Sequence, residues 1–316
     1  MALRVVYFGT PGFAVPTLER VINSRHTVVG VVTQPDRPRG RGQQVTAGPV
    51  KAMALAQGLP VFQPEKLSRE LFESTLAGLQ VDIGVVAAYG KILPDWLLAT
   101  PRLGLINVHA SILPKYRGAS PIHRAVMSGD PETGVTIMRV VKALDAGAMI
   151  AVARVPIGVD DTTTIVESVL AIRGAELLVE TLDAIEAGTA VETPQDESQV
   201  TYAPKIAKTE GIVDWAQPAG RIHNQVRGLW PWPHAYSYLN GVRHIVHRSR
   251  LSSRETSAAA PGTIVMASAL EGLHVACGHG TALELLDIQL EGKRVMSARD
   301  AMAGKTLLAG ARFAAE

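Results

Sequence analysis

One cysteine in 316 residues, Cys277, leaves no partner for an internal disulfide. No apolar run reaches the roughly 20 residues that a membrane-spanning helix needs. The amino-terminal residues lack a basic region followed by a long apolar stretch and a cleavage site, so no signal peptide is expected. With the lone cysteine, this points to the cytoplasm and away from a membrane. The dinucleotide fingerprint and the P-loop pattern are missing as well. Gly9-Thr10-Pro11-Gly12 has the wrong spacing, and Pro11 has no N–H to offer a phosphate. No metal is expected. The nearest set, His109, His123 and Asp145, has no short ligand spacing, and Cys277 with His279 is a single pair in a turn. There is no internal repeat and no low-complexity tract.

A further absence is local. No acidic residue falls between Asp214 and Glu255, whereas Arg221, Arg227, Arg243, Arg248, Arg250 and Arg254 all do. A second basic group, Arg37, Arg39 and Arg41, is opposed nearby only by Asp36. The net charge is +2, so the whole molecule is no polycation. The two groups read either as solvated surface or as contacts for a polyanionic partner.

The length exceeds one typical core, so two domains are expected. Leu3–Phe8, His26–Thr33, Asp82–Ala88 and Leu103–Val108 are short, nearly continuous apolar runs, the texture of buried parallel strands. Helical patterns alternate with them, which predicts an α/β domain with a Rossmann-like parallel sheet over residues 1–188. Residues 34–48, rich in Pro, Gly and Arg, read as a long inserted loop. Thr133–Val140 and Met149–Ile157 read as further strands and Thr162–Ala187 as a long helix. The polar residues 189–208 read as a linker. Residues 209–316 hold a short helix and five short strands, with Asn240-Gly241 as a hairpin turn, and predict a small β-barrel of OB-like type.

The most specific stretch is Asn107-Val108-His109-Ala110-Ser111-Ile112-Leu113-Pro114-Lys115-Tyr116-Arg117-Gly118, answered by Leu144-Asp145-Ala146-Gly147. Asn107 and His109 are two apart on a strand and therefore share a face. Open α/β sheets bind ligands outside the carboxyl ends of their strands, where this pair sits. Asp145 is the carboxylate expected to reach the histidine and set its charge. Ser111 lacks the nucleophile-elbow pattern and reads as a loop residue whose backbone lines a pocket. Ala88–Pro94 ends the neighbouring strand; it is apolar and rich in main-chain groups, which suits a flat heteroaromatic ring. Trp230-Pro231-Trp232-Pro233 reads as a structural plug at the start of the barrel, with base stacking as the alternative.

The Asn-x-His pair, the Ser-Ile-Leu-Pro-Lys-Tyr-Arg-Gly run and the Asp-x-Gly resemble the folate-dependent formyltransferases. Tyr7-Phe8-Gly9-Thr10-Pro11, the loop Thr33–Gly42 and Pro231-Trp232-Pro233 resemble the tRNA-modifying branch of that family. Departures are mild: Ile112 stands where Leu is usual and Ala146 where Thr is common. The resemblance covers essentially the whole chain. It implies transfer of the formyl group of 10-formyltetrahydrofolate, a co-substrate, to the α-amino group of initiator methionyl-tRNA for translation initiation. It further implies that Asn107 and His109 stabilise the oxyanion while Asp145 orients and charges His109. The pterin would lie against Tyr89, Gly90 and Ile92 and against Ser111, Ile112, Leu113 and Pro114. The tRNA would meet Arg37, Arg39 and Arg41 in the inserted loop, with Arg41 entering the acceptor end, and Arg243, Arg248 and Arg250 in the barrel. The enzyme would be a monomer. Two rivals remain. A small amine acceptor, such as a glycinamide ribonucleotide or a nucleotide-sugar amine, needs neither basic loop nor barrel. A non-catalytic RNA-binding protein needs no intact Asn107, His109 and Asp145.

Overall fold

The computed structural model describes residues 2–39, 44–304 and 306–315. The chain divides into two compact units. Unit 1 comprises Met1–Gly118, Thr133–Val155 and Glu167–Ala203, and unit 2 comprises Ala119–Glu132, Pro156–Val166 and Pro204–Glu316. The division is interleaved, whereas the expected domains were continuous in sequence.

In chain order the first elements are β1 (Arg4–Gly9), α1 (Ala14–Ile22), β2 (Thr27–Val32), β3 (Pro38–Arg39), β4 (Gln44–Val45), α2 (Pro49–Ala56), β5 (Val61–Phe62) and α3 (Arg69–Gly78). Then come β6 (Ile83–Ala87), α4 (Asp95–Leu98), β7 (Leu105–His109), β8 (Arg117–Gly118), α5 (Pro121–Ser128), β9 (Glu132–Arg139), β10 (Met149–Pro156), α6 (Thr163–Ala187) and β11 (Tyr202–Ala203). The remainder is α7 (Ala219–Gly228), β12 (Ala235–Leu239), β13 (Val242–Ser252), β14 (Ile264–Ser268), β15 (Gly272–Ala276), β16 (Ala282–Leu290), β17 (Met296–Ser297) and α8 (Ala298–Met302).

Unit 1 is built on a seven-stranded sheet of order β10-β9-β7-β6-β1-β2-β5. The five strands from β7 to β5 pair in parallel; apolar runs predicted four of them, and the two-residue β5 was not foreseen. β9 pairs antiparallel with β7, so the sheet is mixed at this side. Strand order reverses at β1, whose neighbours are β2 and β6, and this is the switch point beside which such sheets bind ligands. The carboxyl ends of β1, β6 and β7 bring Gly9, Ala87 and His109 to the same end of the sheet. One face packs Val6, Phe8, Leu76, Tyr89, Leu97 and Leu105 into a core cluster.

Two expectations change here. The inserted loop, read as lacking regular structure, carries a two-residue antiparallel ladder, Pro38 opposite Val45 and Arg39 opposite Gln44. Arg41 lies outside the described residues. The stretch read as linker is packed within unit 1 as far as Ala203. Its Thr193 exchanges two backbone hydrogen bonds with Met149, and β11 pairs in parallel with β8.

Unit 2 holds an antiparallel sheet of order β12-β13-β16-β15-β14. Asn240 and Gly241, at φ of 51° and 75°, form the two-residue turn between β12 and β13. The sheet is closed by the end of the chain, which the strand pattern did not announce. Ala314 exchanges hydrogen bonds with Tyr238 of β12, while Ala311 accepts from Ile264 of β14 and Phe313 donates to the Gly262 carbonyl. The tail thus covers both open edges, which would otherwise expose a row of unpaired N–H and C=O groups. Trp230 packs against His234 and His247 at centroid distances of 5.1 and 5.4 Å, in line with the plug reading. Burial pushes the His234 imidazole down to about 4, helped by the neighbouring His247 and Arg243. Among the described residues no helix is long and apolar enough to cross a membrane.

Phe313 is 3% exposed and stacks on Trp215 at 5.5 Å. Phe313→Ala is expected to destabilise unit 2 by about 3–5 kcal/mol, as other buried aromatic truncations do. Urea unfolding followed by tryptophan fluorescence checks this, and a loss below 1 kcal/mol would show that the tail does not close the barrel.

Candidate active site

β7 ends in the candidate pair. Ile106 and Val108 face the core, and alternation turns Asn107 and His109 to the other face. Asn107 is half-buried, and its carboxamide makes no hydrogen bond to any described residue. His109 is buried at 5% exposure. Its Nε2 donates to the Tyr116 carbonyl at 3.0 Å, which assigns a proton to that nitrogen. Its Nδ1 lies 3.7 Å from Asp145 Oδ2, an ion-pair distance rather than a hydrogen bond. Both groups that face the ring nitrogens are acceptors, the carbonyl by hydrogen bond and the carboxylate at the longer distance.

Asp145 is fixed in turn. Its Oδ2 accepts from the Gly118 amide at 2.8 Å. Its backbone has φ of 47°, a left-handed conformation that Asp tolerates better than most residues. The following Gly147 is required by contact: a Cβ there would stand 1.8 Å from the Arg139 carbonyl oxygen. Gly118 is required by conformation, with φ of 124°. These two positions explain the glycines of the motif physically. The structure brings Asp145 to His109, and Asn107 shares the face of β7 that carries His109.

The arrangement offers a free amide donor beside a ring that can carry a positive charge, which is what a developing oxyanion needs. A profile of the formyl transferase family matches residues 3–182, and one of its C-terminal domain matches residues 205–306. The chain belongs to the formyl transferase family. It is 46% identical over 314 residues to the methionyl-tRNA formyltransferase of Acidobacterium capsulatum, covering 99% of this chain and all of that one. It is 45% identical over 307 residues to the enzyme of the same name from Bacillus velezensis, covering 97% and 96%. In fold it is similar to the N-formyltransferase of Helicobacter canadensis, solved with folinic acid and dTDP-3-aminofucose. There the TM-score is 0.68 at 18% identity, over 90% of this chain and 98% of that one.

The residues expected along the pterin divide. Tyr89 turns inward: it is 1% exposed, packs edge-to-face on Phe8 at 5.6 Å, and burial pushes its hydroxyl up to about 12. Its carbonyl accepts from Gln34 Nε2 at 2.7 Å. Ser111 is fully buried, its hydroxyl donating to the Lys115 carbonyl, and Leu113 is 3% exposed. Ile92 is 93% exposed, and Gly90 is exposed too. Ile112 and Pro114 are half-buried. The side chains of Tyr89, Ser111 and Leu113 are thus packed inward, and those of Ile92, Ile112 and Pro114 keep some exposure. A hollow of 480 Å³ bordered by Leu76 and Trp96, and another of 460 Å³ bordered by Arg254 and His279, both lie away from Asn107 and His109.

The basic residues also divide. Arg37 is exposed, and nearby Asp36 is paired instead with Lys51. In the barrel the acid-free stretch is not acid-free in space. Arg248 pairs with Asp287 at 3.3 Å and Arg250 with Glu284 at 2.7 Å, both across β13 and β16. Arg243 lies over the Tyr236 ring at 3.7 Å. Sequence reasoning missed Gln195 altogether. Its Nε2 donates to the carbonyls of Asp145 and Gly147, both at 2.8 Å.

Gly147→Ala must displace the loop that carries Asp145. Formyl transfer is expected to fall about 10²-fold, the scale of a 1 Å misplacement, in a protein that still melts cooperatively. Unchanged turnover would show that this close approach does not set the position of Asp145.

Proposed function

We propose that the chain transfers the formyl group of 10-formyltetrahydrofolate to the α-amino group of methionine on initiator tRNA. The observation that carries this reading is the free Asn107 carboxamide beside a His109 ring held by two acceptors, in a chain alike over its whole length to relatives bearing the methionyl-tRNA formyltransferase name.

The acceptor amine, as the neutral base, attacks the formyl carbon. The carbonyl oxygen becomes an oxyanion, the bond from carbon to the folate nitrogen then breaks, and the proton lost by the amine ends on that nitrogen. Asn107 Nδ2 supplies the N–H that strengthens as charge develops. His109 donates through Nε2 to Tyr116 and has the Asp145 carboxylate 3.7 Å from Nδ1, so its contribution is a ring whose positive charge that carboxylate favours. Asp145 keeps that charge close and oriented. Losing one positioned donor costs about 2.7–4 kcal/mol of barrier. Holding amine and formyl donor together supplies up to about 7–11 kcal/mol more. The pterin lies along Ala88–Pro94 and Ile112–Pro114, recognised through main-chain groups. Phosphates of the tRNA meet Arg37, Arg39 and Arg41, and Arg243 in the barrel; Arg248 and Arg250 act there only by giving up Asp287 and Glu284.

Incubation with 10-formyltetrahydrofolate and methionyl-tRNA should place formyl-methionine on the tRNA. Free methionine and a nucleotide-linked amino sugar should stay unmodified; formylation of the sugar instead would reassign the acceptor. Asn107→Ala, His109→Ala and Asp145→Ala should each lower kcat by about 10²–10³-fold without loss of fold. Near-parental turnover in all three would end this mechanism. Arg41→Ala is expected to weaken use of charged tRNA far more than folate binding. Equal loss of both, or of neither, removes the inserted loop from the tRNA interface.

A further inference from the structure

We infer that Gln195 is a positioning residue for the His109–Asp145 pair, acting from a polar strap of residues 193–203 that carries no part of the motif. The inference rests on the reading given under the proposed function. Gln195 is buried at 9% exposure, and its amide is fully used. Nε2 gives one hydrogen to the Asp145 carbonyl and one to the Gly147 carbonyl, both at 2.8 Å. Oε1 accepts from Arg117 Nε and Nη2 at 3.0 and 2.8 Å. The orientation of the amide is therefore unambiguous, because the carbonyls only accept and the guanidinium only donates.

The partners close a ring around the imidazole. Arg117 is 3% exposed and also pairs with Glu197 at 2.7 Å, two residues along the strap. The residue after it, Gly118, is the one whose amide holds the Asp145 carboxylate. The residue before it, Tyr116, supplies the carbonyl that holds His109 Nε2. That segment is clamped to the same strap: Tyr116 N donates to Thr201 Oγ1 at 2.9 Å, Arg117 N donates to the Thr201 carbonyl at 2.9 Å, and β8 pairs with β11. Both acceptors of the imidazole are thus located by residues that reach them through the strap. Among the described residues, the Gln195 side chain joins the Asp145 turn to Arg117.

The prediction separates position from packing. Gln195→Glu keeps the shape and can still accept from Arg117, but it has no hydrogens for the Asp145 and Gly147 carbonyls. Steady-state formylation of methionyl-tRNA should show kcat lowered about 10- to 100-fold, the range seen for outer-shell partners at metal sites. KM for folate and tRNA and the melting temperature should stay near the parental values. Added to Asp145→Asn, the Gln195→Glu change should cost nothing more, since its effect passes through Asp145. Parental kcat for Gln195→Glu and for Gln195→Ala, or a full multiplicative loss in the Asp145→Asn background, overturns the inference. A kcat loss accompanied by an equal fall in folded protein does so too. If Asp145→Asn alone leaves kcat unchanged, the proposed mechanism fails instead.

Discussion

At His109 both ring nitrogens of a buried imidazole face acceptors. The Tyr116 carbonyl takes Nε2–H and the Asp145 carboxylate faces Nδ1. That constraint decides much of unit 1. It requires Tyr116 and Asp145 to present their oxygens from opposite sides of one ring, and both do so in left-handed backbone, at φ of 62° and 47°. Ala88, at the end of the neighbouring β6, is left-handed too, at 47°. Such residues cost on the order of 1–3 kcal/mol each and persist where the surroundings over-determine them. Here the surroundings are explicit: Thr201 holds Tyr116, while Gly118 and Gln195 hold Asp145.

The same constraint separates the roles of the two motif residues on β7. His109 is hydrogen-bonded to the Tyr116 carbonyl and faces Asp145, whereas the Asn107 carboxamide has no partner among the described residues. An uncommitted amide at the carboxyl end of a strand is available to a ligand without any rearrangement. An imidazole hydrogen-bonded to the main chain is instead fixed in position before any ligand arrives.

The parallel strands and the candidate pair on β7 were legible because each is a local signal. β1, β2, β6 and β7 are buried on both faces and so read as continuous apolar runs. Asn107 and His109 are spaced by the period of a strand. What stayed hidden depends on residues far apart in sequence. Gln195 lies 50 positions from Asp145 and 78 from Arg117, in a polar stretch whose composition resembles any linker. The β3–β4 ladder is only two residues long and sits among Pro, Gly and Arg, where no period can develop. The closing tail, Ala311–Ala314, has too few residues to show an alternation of its own.

Charge shows the same limit in a sharper form. A run without acids from Trp215 to Arg254 looks like a basic surface when read along the chain. Antiparallel pairing sets β16 against β13, and Glu284 and Asp287 arrive opposite Arg250 and Arg248. Cross-strand partners, not sequence neighbours, therefore decide which arginines keep a free charge. Surface pairs of this kind contribute only about 0–1 kcal/mol, so they neutralise Arg248 and Arg250 without adding much stability. Arg243 differs in kind: its guanidinium lies flat on Tyr236, and its Nε is buried with no acceptor. Of these three arginines, Arg243 is therefore the one with no carboxylate partner among the described residues.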